Sequence, residues 1–226
     1  MIPLGPPTRR RGRAMLYCAS VDIGEVVVKA APAAGQEALM LCRVRHPSIV
    51  RCLSIGRLND RTPAFMMPRA ETDLEEALAR EGPFPPDRVA GLMRRLADAL
   101  AAVHAAGLRH GDVALANVLL TAHGPQLADF EHAGPIADAA PASRPGTFDF
   151  MAPEALDGLP LDARADIYGL GAVGWAMLAG RPPGPFERPP AASGGLRRFL
   201  ERCLSPDRAK RPADGAEAGR LLREAV

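Results

Sequence analysis

The chain has 226 residues, 47% of them hydrophobic, 24% charged and 4% aromatic, with a formal net charge of +2. That balance excludes intrinsic disorder and removes bulk charge as a reason to expect nucleic acid or anionic lipid. The length suffices for a buried core without disulfides or a structural metal. The four cysteines, Cys18, Cys42, Cys52 and Cys203, form no Cys-x-x-Cys pair and read as reduced core thiols of a cytoplasmic protein.

In chain order, the first segment holds Pro3, Pro6, Pro7 and the run Arg9-Arg10-Arg11 but no apolar stretch, so it reads as a solvated basic tail rather than a signal peptide. Residues 14–20 and 25–30 are two short strands around a turn at Asp22 and Gly24, a hairpin. Residues 35–44 carry apolar positions at 38, 39, 41 and 42, a short helix that Pro47 stops. Residues 49–55 and 64–67 read as further strands. After Arg69 the texture becomes helical. Leu92, Leu96, Leu100 and Val103 recur at helical spacing within 87–106, between Pro85-Pro86 and Gly107. Residues 118–120 and 126–127 are short strands around Gly124, and from Asp166 onward the pattern is helical apart from a proline-rich loop over 181–190. The longest apolar stretch, 168–180, is too short to span a bilayer and reads as a buried helix. The fold class is therefore α+β, a small β-rich lobe followed by a larger helical one.

The chemistry concentrates in His110-Gly111-Asp112-Val113-Ala114-Leu115-Ala116-Asn117 and, twelve residues later, Asp129-Phe130. Asp112, Asn117 and Asp129 fall on loops at strand ends, where they can converge. An Asp with an Asn amide oxygen is hard-oxygen ligation suited to magnesium that also touches phosphate, and a second Asp can orient a hydroxyl and take its proton. Val27-Val28-Lys29 ends a strand in an ammonium able to reach phosphate oxygens. Two scarcities point the same way. The chain uses 26 arginines but only two lysines, Lys29 and Lys210, and only two asparagines, Asn59 and Asn117.

These residues resemble the eukaryotic-like (bacterial-type) serine/threonine protein kinase family, of which the chain looks like a minimal and divergent member. Val27-Val28-Lys29 resembles the strand lysine that grips the nucleotide, and Glu37 sits where its helix partner would. Gly146-Thr147 through Ala152-Pro153-Glu154 resembles the end of the activation segment, Asp166 to Gly171 the start of the central helix, and Arg211-Pro212 the closing motif whose arginine pairs with Glu154. The resemblance implies one bilobal domain over 1–226, with an N-lobe of residues 1–67 and the hinge and C-lobe at 68–226. It implies ATP and magnesium as cofactors and a serine or threonine hydroxyl on a protein substrate as acceptor, with a regulatory protein the other partner considered. Asp112 and Lys29 would be catalytic, Asn117 and Asp129 would hold the metal, and Lys29, Glu37, Gly12, Ala14, Met67 and Ala70 would bind the nucleotide. No nucleic-acid or membrane module is expected, and the oligomeric state stays open.

Several positions depart from the family pattern. Pro7 and Arg9 stand where the phosphate-covering loop prefers glycine. Gly111 replaces an arginine, which implies activity without a phosphorylated activation segment. Ala114 replaces a lysine and Glu131 a glycine, and the Glu131 side chain either adds charge beside the metal site or points away. Lys29 and Glu37 are only eight residues apart, so the helix carrying Glu37 has lost its leading turns or its connecting loop, and between Pro183 and Gly195 there is little room for the helix that docks protein substrates. The alternative readings are a pseudokinase acting as a nucleotide-sensing or interaction module, and a small-molecule kinase of the same fold. His110 and His46 are expected to be structural, His104, His123 and His132 to lie on the surface, and Asp166 to tie the catalytic-loop backbone together.

Overall fold

The computed structural model describes residues 4, 6–11, 14–22, 24–136, 147–184, 187 and 194–226. Its first part is a five-stranded antiparallel sheet in the order β1-β2-β3-β5-β4, formed by β1 (Arg9–Arg11), β2 (Ala14–Val21), β3 (Gly24–Ala30), β4 (Ser54–Arg57) and β5 (Pro63–Pro68). Alternation along β3 divides its side chains between two faces. Val28 and Ala30 join Ala64 in a satellite cluster, whereas Val27 and Lys29 turn to the other side and line a cleft. Pairing extends that face across the sheet, because Leu16 lies opposite Lys29 and Met67 opposite Val27.

Three residues separate β3 from helix α1 (Ala34–Cys42). Its buried positions Ala34, Glu37, Ala38 and Leu41 follow helical spacing, so Glu37 is carried inward on the apolar stripe. From β5 the chain passes through Arg69–Glu71 into β6 (Thr72–Asp73) and α2 (Leu74–Glu81). Asp73 caps α2 by accepting a 2.9 Å hydrogen bond from the Glu76 amide.

The larger part is built on α3 (Pro86–Ala105) and α5 (Ala163–Ala179). Pro85 caps α3 and Pro86 occupies its first position, where no N–H is needed. Helix α5 is buried nearly all round, with Ile167, Leu170, Val173, Trp175 and Met177 in the core. Around these two lie β7 (Leu108–Arg109), β8 (Val118–Thr121), β9 (Gly124–Leu127), β10 (Gly134–Pro135), the short α4 (Pro153–Leu156), α6 (Gly194–Cys203) and α7 (Gly215–Ala225). Strands β6, β8 and β9 make one small sheet, and β7 with β10 another. No helix among the described residues is long and apolar enough to cross a membrane.

Four expectations change. The arginine run is not a tail: β1 pairs with β2 at the sheet edge, Arg9 opposite Leu16 and Arg11 opposite Ala14. Residues 49–53 are not a strand. Ile49 and Val50 are buried, but the Val50 amide bonds the carbonyl of Leu127 in β9, and ladder pairing to β5 begins only at Ser54. Of the cysteines only Cys203 is a core thiol; Cys42 is exposed and Cys18 and Cys52 are half-buried. His104 is buried rather than on the surface. Helix α2 was not anticipated, although Asp73-Leu74-Glu75-Glu76 has the spacing of a capping box. The expected loss of the docking helix and Gly146 fall wholly or mostly outside the described residues.

Candidate active site

Lys29 is the meeting point of three elements. Its Nζ lies 2.8 and 3.0 Å from the two carboxylate oxygens of Glu37 on α1 and 2.8 Å from Asp129 Oδ1, beyond the end of β9. Burial pulls the Lys29 ammonium down, but Glu37 and Asp129 overcome it and hold it above its ordinary value. Burial pushes Glu37 up to about 7 against the opposing pull of Lys29. Asp129 adopts a left-handed conformation, φ 65° and ψ 70°, one of only two non-glycine residues with positive φ among those described. Such backbone persists only where its surroundings enforce it, and here the Lys29 contact and the helical turn Phe130–His132 do so. Glu131 does not point away: a carboxylate oxygen of Glu37, of Asp129 and of Glu131 lie within 4.8 Å of one another. One ammonium thus stands among three carboxylates.

The loop 110–117 is held by Asp166 of α5 together with its own side chains. Asp166 at the start of α5 accepts the amides of His110 (2.7 Å) and Gly111 (2.8 Å), so it ties the catalytic-loop backbone as expected. Burial pushes Asp166 up, but these donors and His104 win and keep it ionised. His104 Nε2 reaches Asp166 at 3.0 Å while its Nδ1 accepts the Gly215 amide, which links α3, α5 and α7 behind the loop. His110 is fully buried, and burial lowers its pKa, so it is neutral. Its Nδ1 accepts the Asp112 amide and its Nε2–H donates to the Ala128 carbonyl at 3.0 Å. Gly111 has φ +83°, and a Cβ there would sit 2.5 Å from the His132 carbonyl oxygen and 2.9 Å from Arg109 Nη1. Glycine is the residue this turn admits.

Asp112 itself is fixed at both carboxylate oxygens. Oδ1 accepts the Thr147 amide at 2.9 Å and Oδ2 accepts Asn117 Nδ2 at 2.7 Å. Thr147 therefore meets Asp112 through its backbone. The Ala128 amide donates to the Asn117 carbonyl, holding Asn117 against the residue that precedes Asp129. Because the Asn117 amide nitrogen is committed to Asp112, its oxygen is the atom left for a cation. With Asp129 it makes an all-oxygen set of the kind magnesium takes. Ala114 is fully buried and offers no charge. Glu154 and Arg211 form a buried bidentate pair at 2.7 and 2.8 Å.

The cleft between the sheet and the helical part has a volume of about 160 Å³, and its walls include Lys29, Glu37, Asp129, Met67 and Ala70. Ala14 does not contribute as expected. It packs into the core, and Leu16, two residues further along the same face of β2, is the wall residue. Gly12 lies outside the described residues. Arg9, which stands in the phosphate-covering loop of the family pattern, crosses the cleft mouth from β1 to Glu76 (2.7 Å) and Asp73 (3.5 Å). A larger cavity, about 640 Å³, lies behind α1 and contains none of these groups; the side-chain chemistry, not the volume, marks the site.

Comparison with known proteins agrees with this geometry. The family model described as a protein kinase domain matches residues 25–222. The chain is 33% identical over 211 residues to the serine/threonine-protein kinase PkaA of Streptomyces coelicolor, covering 83% of this chain and 38% of the relative. It is 31% identical to the serine/threonine-protein kinase PknH of Mycobacterium tuberculosis, covering 82% and 33%. It is likewise 31% identical to the serine/threonine-protein kinase pkn2 of Myxococcus xanthus, covering 83% and 26%. The chain spans about a quarter to two fifths of the length of these relatives.

Proposed function

The chain belongs to the protein kinase family, and on that premise we propose that it transfers the γ-phosphate of ATP to serine or threonine hydroxyls of a protein substrate, with residues 1–226 acting as one bilobal domain. The observation that carries this reading is the joining of Lys29, Glu37 and Asp129 within 3.0 Å contacts at one end of the cleft. A pocket that merely kept the fold would not need a buried lysine shared between two carboxylates.

In this reading Leu16, Val27, Met67 and Ala70 flank the nucleotide base, and Lys29, steadied by Glu37, faces its phosphates as a compact charge. Asn117 and Asp129 would hold magnesium, which when bound neutralises charge on the transferring group. Asp112, locked by Thr147 and Asn117, orients the acceptor hydroxyl and takes its proton. Asp166 and neutral His110 keep the loop in place, so positioning supplies most of the catalysis. Ala114 leaves the transferring phosphoryl group one cation short of the family pattern. The reading includes a cytoplasmic location, which the four free thiols support.

The test is transfer from labelled ATP, with magnesium, by wild type and Asp112→Asn, onto the protein itself and a generic basic substrate. Label on serine or threonine should fall about 10²–10⁴-fold in Asp112→Asn, while the magnesium-dependent thermal shift with ATP persists. Equal transfer by both proteins, or no transfer by folded wild type, overturns the proposal.

A further inference from the structure

The larger cavity behind α1 holds chemistry that the cleft does not use. Its walls include Leu41, Cys42, Ile49, Val50 and Cys52. Cys42 is the last residue of α1 and is exposed, whereas Cys52 is half-buried on the segment that runs into β4. Both residues line this one cavity, the Cys42 charge acts on Cys52, and Cys52 Sγ donates to the Ser54 carbonyl at 3.7 Å. Cys18 stands on β2 and Cys203 is fully buried in α6, so neither belongs to this cavity.

We propose that Cys42 and Cys52 form a peroxide-oxidisable dithiol that closes to an intramolecular disulfide, tying the end of the helix that carries Glu37 to the segment entering β4. The exposed sulfur meets the oxidant. The Cys42 thiolate attacks one peroxide oxygen, the O–O bond breaks, hydroxide leaves, and Cys42 becomes a sulfenic acid. Cys52 then attacks the Cys42 sulfur, the S–O bond breaks, and the Cys52 proton leaves with the hydroxyl as water. Overall, two thiols and one hydrogen peroxide give one disulfide and two waters, the sulfurs being oxidised and the peroxide reduced. Burial and the Cys42 charge push the Cys52 thiol up to about 11, and that charge disappears once Cys42 is a neutral sulfenic acid. The first oxidation thus removes one of the causes that keep the Cys52 proton in place, burial remaining the larger.

The bond would close across Cys42–Cys52 outside the cleft. Glu37 lies five residues before Cys42 on the same helix, so the tether restrains the element that steadies Lys29.

The experiment treats the whole reduced chain with hydrogen peroxide, counts thiols after denaturation, and maps tryptic peptides without reductant. Two of the four thiols should be lost, peptides 30–43 and 52–57 should appear joined, and dithiothreitol should restore both thiols. Amide exchange in α1 should slow on oxidation and recover on reduction. Cys52→Ser should give no joined peptide and leave Cys42 to oxidise further. Four surviving thiols, a disulfide between two chains, or sulfinic acid on wild-type Cys42 without the joined peptide overturns the proposal. None of these readouts depends on phosphoryl transfer, so failure here and failure of the kinase reading are distinguishable.

Discussion

Two buried ion clusters divide the labour of this molecule. Arg211 and Glu154 match one charge with one charge, and the guanidinium also donates to the carbonyls of Ser205 (2.8 Å) and Arg164 (3.1 Å) beneath the Tyr168 ring. Lys29 stands among Glu37, Asp129 and Glu131, with carboxylate in excess. The first cluster is closed: every charge is answered within the protein, around a group that cannot shed its proton. The second has groups able to change protonation or take a cation, as Glu37, pushed up to about 7, illustrates. A buried ion pair that only holds the chain together favours arginine and a bidentate fork. A site that must meet a phosphate and a metal is left with charge to spare.

Breaking the closed cluster should have the largest effect on stability. Glu154→Ala strands a permanent charge that is 0% exposed, at a cost of about 3–5 kcal/mol. That corresponds to a Tm drop of roughly 6–20 °C for a chain of this size, read by calorimetry. Lys29→Met should cost less stability and more activity. The carboxylates it leaves can shed charge, since Glu37 takes up a proton and the Asp129 side chain is 21% exposed, so Tm should fall less than in Glu154→Ala. Transfer, however, should fall about 10²–10³-fold, with weaker ATP binding. If Lys29→Met unfolds the protein as severely as Glu154→Ala, the distinction between the clusters is wrong.

The same contrast explains what was legible in the sequence. Lys29, Glu37, Asp112, Asn117, Asp129, Glu154 and Arg211 are residue types in a fixed order, and the structure shows the two pairs that order implies, Lys29 with Glu37 and Glu154 with Arg211. Glu37 was also readable from periodicity, because it lies on the 34–37–38–41 stripe. His104 was readable by the same logic and was missed: it falls seven residues after Ala97 and four after Leu100 on the buried face of α3. Ala14 was misplaced for a different reason. The wall position on β2 depends on register, and only the pairing of Leu16 with Lys29 shows which residue of the strand faces the cleft. The β1 strand hid behind three arginines, whose type carries no strand signal, and Arg9 takes its partners more than sixty residues away. Cys42 and Cys52, too, come to one cavity wall through tertiary packing that no spacing rule anticipates.

The smallest effect expected is on pH dependence, and it isolates the open cluster. Glu37 has an ordinary value of 4.5 and is pushed up to about 7 in the folded chain without nucleotide or metal. Between those values the folded state binds more protons than the unfolded state, so this group lowers stability as pH rises through the interval. Lys29, held above its ordinary value, contributes stability that is complete at these pH values and is lost only in alkali, as pH rises through its folded pKa. Glu37→Gln should therefore flatten the decline between pH 4.5 and 7 in denaturant titrations. Parallel slopes in wild type and Glu37→Gln would mean that Lys29 fully compensates Glu37, making the second cluster as closed as the first.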